Sequence, residues 1–246
     1  MVRIAMWSGP RNVSTALMRS FEARGDCAVV DEPLYAAYLH ATGLDHPGRD
    51  AILATQPTDP AVVVAGLRAP RHDRPLQFEK HMAHHWPADW PLARLGDVRH
   101  AFLVRDPAAM VASYAKVRAT PRAEDLGFPQ LLRLVEATPR PAVIDGDRLR
   151  EAPATWLPAL CEALGITYTD RMLGWSAGPR ETDGVWASHW YARVEASTGF
   201  VPPTPPVAVP YRLRPLVDAL RPTHEALMRH HVRVLHAGAS QNARRA

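Results

Sequence analysis

Val2–Leu17, VRIAMWSGPRNVSTAL, is the stretch whose reading decides the fold. It opens as an apolar run of strand type, breaks at Ser8-Gly9-Pro10, and resumes as the helix-forming segment STALMRSFEARG. A strand that ends in a Gly/Pro loop and feeds a helix leaves the first-turn N–H groups pointing above the sheet edge. Such a junction is a seat for an anion.

The segments that follow repeat the alternation. Cys27–Val30 reads as a buried strand ending in Asp31-Glu32-Pro33, with Pro33 at a first helical position before LYAAYLHATG. Leu76–Lys80 reads as a strand end, Arg99–Val104 as a strand, and Asp106-Pro107 as the cap and first residue of a helix over Ala108–Arg118. Leu126–Ala137 and Pro153–Leu164 have helical spacing, and Ala142–Ile144 is a last short strand. Strands alternating with helices predict an α/β fold with a central parallel sheet flanked by helices. His46–Pro75 is punctuated by prolines, and its run Ala61–Leu67 fits strand or helix. Thr182–Gly199 shows no clean period, Val201–Pro210 is a Pro-rich linker, Tyr211–Leu235 predicts a closing helix, and 237–246 a flexible basic tail.

Composition narrows the function classes. A chain of 246 residues with 47% hydrophobic and 22% charged residues can bury a sizeable core as one domain. The net charge is +4, mostly from arginine, whose planar fork suits phosphate and sulfate. Neither a signal peptide nor a membrane-length apolar run is legible, and Cys27 and Cys161 sit far apart in apolar surroundings. Those features predict a cytoplasmic protein with reduced thiols and no membrane partner.

The loop is not the common nucleotide type. Laid on Gly9, the pattern G-x-x-x-x-G-K-[ST] asks for Gly at Ser14 and Lys at Thr15. Lacking that lysine, nucleotide hydrolysis or kinase chemistry is disfavoured, though it stays as one alternative. A non-catalytic nucleotide- or RNA-binding module is another, and it lacks a platform of regularly spaced aromatics. No nucleic-acid partner is therefore expected.

Pro10-Arg11-Asn12-Val13-Ser14-Thr15-Ala16-Leu17 resembles the 5′-phosphosulfate loop P-[KR]-S-G-T-[TS]-x-L of sulfotransferases that use 3′-phosphoadenosine 5′-phosphosulfate (PAPS). Asn12 stands for the usual Ser and Val13 for the usual Gly. Arg105-Asp106-Pro107 followed by Ser113-Tyr114 is similar to the family's 3′-phosphate motif R-[ND]-P-x-x-x-x-x-S-Y. Eight residues from a strand end are just over two helical turns, so Ser113 can share a side with Arg105. Gly146-Asp147-Arg148-Leu149 and Arg193–Ser197 are weaker echoes of a later turn and a late cofactor loop.

The resemblance implies a single sulfotransferase-like domain over 1–236 with a phosphate-loop NTPase-like, three-layer fold. It implies that Arg11, Asn12, Val13, Ser14 and Thr15 hold the 5′-phosphosulfate, with Arg11 also meeting charge in the transition state. Arg105 and Ser113 would hold the 3′-phosphate, and no metal is required. A small-molecule or glycoside acceptor with a hydroxyl or amine would take the sulfuryl group.

Two residues compete for the role of base. Glu32 ends a strand at the place where some members carry a general-base Glu. Lys80-His81 resembles a Lys-x-His segment with the His one residue early, and His84 and His85 stand nearby. An imidazole suits neutral pH unaided, whereas a Glu needs burial to raise its pKa. The context DEPLY favours Glu32. Trp86, Trp90, Trp186 and Trp190 fit either an acceptor pocket or the core.

Overall fold

The computed structural model describes residues 1–69, 72–116, 120–203 and 208–234. The tail at 237–246 and the ends of the segments reaching Arg118 and Leu235 lie outside them. Five strands, β1 (Val2–Ser8), β2 (Cys27–Asp31), β3 (Leu76–Met82), β4 (Arg99–Val104) and β5 (Ala142–Asp145), form one parallel sheet in the order β2-β3-β1-β4-β5. Every strand therefore ends on the same edge. β1 lies in the middle, with β3 and β2 on one side and β4 and β5 on the other, and such a switch opens a crevice above the strand ends.

Both faces of the sheet are covered, which is why its strands read as continuous apolar runs. Side chains alternate between faces: Ile4, Met6, Ala101 and Leu103 join one core layer, and Ala5, Trp7, Phe102 and Val104 the other. The first layer is closed by α1 (Ser14–Ala23) through Leu17, Met18 and Phe21, and by α8 (Pro153–Ala163) through Leu157 and Leu160. The second is closed by α4 (Pro60–Arg68), α5 (Pro107–Tyr114), α6 (Phe128–Glu136) and α11 (Arg214–Met228). A third cluster caps the crevice above β2. It joins α2 (Tyr35–Thr42) and α3 (Arg49–Thr55) to the residues around α9 (Ala187–Trp190) and α10 (Ala192–Glu195). The short α7 (Gly146–Glu151) follows β5 directly.

Several boundaries differ from expectation. Asp59 accepts the Ala61 N–H ahead of Pro60, so the ambiguous run is helix, not strand. Pro33 lies in a turn and α2 starts at Tyr35, because Glu32 takes up a left-handed conformation that interrupts the chain there. The closing helix stops at Met228. The chain then turns so that His230 O accepts the Val143 N–H and Val232 N–H donates to Val143 O, at 3.4 and 2.8 Å, covering the open edge of β5.

Cys27 and Cys161 are buried and unpaired, and burial pushes their thiols up to about 12 and about 11. They are inert core residues. Among the described residues no helix is long and apolar enough to cross a membrane.

Candidate active site

Above the strand ends lies a cavity of about 550 Å³. The β1–α1 loop forms its floor, and the segments at 44–47 and 190–201 form its walls. Of the seven residues expected to hold the donor, all line it: Arg11, Asn12, Val13, Ser14, Thr15, Arg105 and Ser113.

The two arginine motifs interlock. Arg11 Nε donates to Ser113 Oγ at 3.2 Å, and an Arg105 guanidinium N–H donates to the Arg11 carbonyl at 2.8 Å, joining residues about a hundred positions apart. Arg11 adopts φ 58°, a left-handed conformation that is costly for a residue with a Cβ. Asp147 on α7 grips Arg105 at 3.2 Å and Arg150 at 3.1 Å. Burial, reinforced by the charges of Arg105 and Arg193, depresses the Arg11 pKa. Crowded cations at a helix start that carries no side-chain cap make this end of the cavity a receptor for anions.

Asn12 uses its side chain on the loop itself. Its amide donates to Leu103 O at 3.0 Å, and its Oδ1 accepts the Val13 N–H at 2.9 Å, which fixes the loop against β4. Gly146 makes this possible, since a Cβ there would collide with Asn12 Oδ1. The Val13 side chain turns into the hydrophobic layer beneath, in the space that Gly146 leaves.

At the other end of the cavity Glu32 sits buried at φ 36°. Glu32 and Arg11 are the non-glycine residues with positive φ among those described. The Glu32 backbone is pinned: its N–H donates to Lys80 O, and its carbonyl accepts from Tyr35 N–H and Gln56 Nε2. Lys80 Nζ spends all three protons, on Glu32 Oε1 at 2.5 Å, Tyr191 OH at 2.7 Å and Asp31 Oδ1 at 2.9 Å. Tyr191 in turn donates to Asp31 and accepts from Trp186 Nε1. One ammonium thus serves two carboxylates. Lys80 is held charged, since Asp31 and Glu32 outweigh the opposing effect of burial. The Glu32 pKa is raised by burial and by the neighbouring Asp31, with Lys80 pulling the other way.

His81 is placed elsewhere. Strand alternation turns it to the opposite sheet face from Lys80, where it stacks on Trp7 at 4.5 Å and bonds Glu79 at 3.1 Å, away from the cavity. His84 and His85, on the turn after β3, reach it, as does His46 from the wall at 44–47. Sequence reading assigned no role to Lys80, Tyr191 or Arg150, all of which line the cavity. The segment of the Lys-x-His likeness contributes Lys80, His84 and His85, but not His81, to the cavity lining. Arg193, from the weakest echo, also lines it, as does Trp190, whereas Trp86 and Trp186 are core.

Burial drives the His84 and His100 pKa values down to about 4, and the His100 Nδ1 accepts the Trp7 N–H. The unfolded chain binds protons at these sites below about 6.5 while the folded one does not. Stability is therefore complete above pH 6.5 and falls toward pH 4, by up to about 3 kcal/mol per histidine. Urea unfolding at pH 7.5, 5.5 and 4.5 should show that decline, and His100→Gln, which still accepts from Trp7, should remove the His100 share of it and leave that of His84.

A family model described as a sulfotransferase domain matches residues 2–239. Two Arabidopsis thaliana proteins, branched-chain-amino-acid aminotransferase-like proteins 1 and 2, are 37% and 35% identical over 233 residues, 92% of this chain. The chain spans 42% and 41% of their lengths, about two fifths. Among solved structures, the sulfotransferase domain from the curacin biosynthetic pathway superposes with a TM-score of 0.50 at 17% identity. That match covers 89% of this chain and 96% of that one, and it is a likeness of fold.

Proposed function

Because the chain belongs to the sulfotransferase domain family, we propose that it moves a sulfuryl group from PAPS to a hydroxyl or amine of a small molecule or glycoside. The observation that carries this reading is the convergence of Arg11, Arg105 and Ser113 on one cavity that also holds a buried carboxylate. ATP has no 3′-phosphate, so a second cationic grip beside the phosphate loop suits a doubly phosphorylated adenosine. Its volume also lies in the range of small-molecule sites.

Arg105 and Ser113 would hold the 3′-phosphate, and Arg11 with the first-turn N–H groups the 5′-phosphosulfate. As the acceptor's bond to sulfur forms, Glu32 takes the acceptor's proton. The bond between sulfur and the bridging phosphate oxygen breaks, and Arg11 meets the charge left on the departing 3′,5′-ADP. Lys80 stays protonated and keeps the Glu32 carboxylate aimed.

Calorimetry tests the donor assignment. A charge-assisted grip is worth about 1.5–3 kcal/mol, so 3′,5′-ADP should bind about 10- to 150-fold more tightly than 5′-ADP. Arg105→Ala should erase the difference while 5′-ADP still binds. Equal affinities in the wild type would refute the assignment.

A further inference from the structure

His85 carries a hydrogen-bonding group that the fold itself leaves unused. Its imidazole is clamped between the rings of Tyr35 and Tyr38, each stacked at 4.6 Å between centroids, so neither face is open to a ligand and the ring is fixed in its plane. Only its edge remains. The ring is 95% buried, and among the described residues Nδ1 has no hydrogen-bond partner. A buried nitrogen of this kind is costly unless a ligand or water completes it.

Nδ1 faces Glu32 Oε2 across 4.0 Å. That gap is too long for a direct hydrogen bond, yet one oxygen about 2.8 Å from each would fill it. The negative charge on Glu32 favours the tautomer with its proton on Nδ1, facing the carboxylate. An oxygen in the gap would thus donate to Glu32 and accept from His85. Burial, above all, with the Lys80 ammonium nearby, keeps the ring neutral, so it donates without competing for the acceptor's proton.

Resting on the sulfuryl-transfer reading above, we propose that Glu32 Oε2 and His85 Nδ1–H form a two-point clamp for a neutral hydroxyl, which selects an alcohol over an amine. A hydroxyl has one proton for Glu32 and a lone pair for His85. An alkylamine near neutrality is an ammonium with donors only, and it would oppose the His85 N–H with a proton of its own. The oxygen lone pair left over is the one that attacks sulfur, and the proton passes to Glu32.

The test begins with 3′,5′-ADP. If it does not bind, the transfer reading falls and the clamp with it. In the 3′,5′-ADP complex at pH 7, imidazole ¹⁵N spectra should give a neutral His85 protonated on Nδ1. A proton on Nε2 instead would overturn the clamp while leaving nucleotide binding intact. Water is the smallest hydroxyl, so slow PAPS hydrolysis reads the same pair: His85→Phe should lower it about tenfold, with His85→Asn restoring part through its amide N–H. An unchanged rate in His85→Phe would also overturn it. Paired acceptors of one carbon skeleton, benzyl alcohol against benzylamine, extend the reading: transfer favouring the amine would refute selection for alcohols.

Discussion

Glu32→Gln is expected to lower kcat for sulfuryl transfer by about 10²- to 10⁴-fold, the usual contribution of a positioned general base. The amide matches the carboxylate in shape and still accepts from Lys80, while Asp31 keeps that ammonium paired. The cluster of one ammonium and two carboxylates loses one negative charge, so the fold should hold. Affinity for 3′,5′-ADP should stay within about threefold, because its expected ligands lie on the Arg11 loop, just past the end of β4 and on α5. The wild-type rate should rise with pH through a value above the ordinary carboxylate range, since burial raises the Glu32 pKa and only the ionised form takes a proton. Below that value the base is protonated and the rate falls. Stopped-time assays with PAPS across pH 5–9 measure both effects. A kcat within fivefold of wild type would remove Glu32 as base and leave His46, His84 and His85 as the imidazoles in the cavity.

How far the sequence carried depends on the range of each interaction. The β1–α1 loop was legible because its signals lie within ten residues: an apolar run, Gly9-Pro10, then small polar residues at a helix start. Asp106-Pro107 was legible for the same reason, as the Asp106 cap on Ala109 is a local bond. The pairing of Lys80 with Tyr191 crosses 111 residues, and a segment without periodicity gives no hint of it. His81 was a candidate because its neighbours resembled a motif. Its exclusion follows from strand alternation: once β3 runs on to Met82, residues 80 and 81 must face opposite ways. Counting that strand two residues longer would have turned attention to Lys80 and to the imidazoles beyond the strand end.

Lys80→Met should be the most damaging single change to the fold. Asp31 and Glu32 are each almost wholly buried, and their shared cation is the only ammonium in the cluster. Deleting one partner of a buried ion pair strands the other charge, which costs about 3–5 kcal/mol, and here two carboxylates are stranded. The rest of the network worsens the loss, since Tyr191 OH would keep Asp31 and Trp186 but face the apolar methionine where its third contact was. For a chain of this size that loss corresponds to a Tm lower by about 6–20 °C. Protonation is the remedy open to the variant, so it should recover stability relative to wild type as pH falls through the raised carboxylate range. Adding Glu32→Gln to Lys80→Met removes one stranded charge and should restore about 0.5–3 kcal/mol, a coupling that a double-mutant cycle in urea would measure directly. A loss below 1 kcal/mol without coupling would mean that water reaches these carboxylates. Glu32 would then lack the desolvation that raises its pKa, and its fitness as a base near neutrality would go with it.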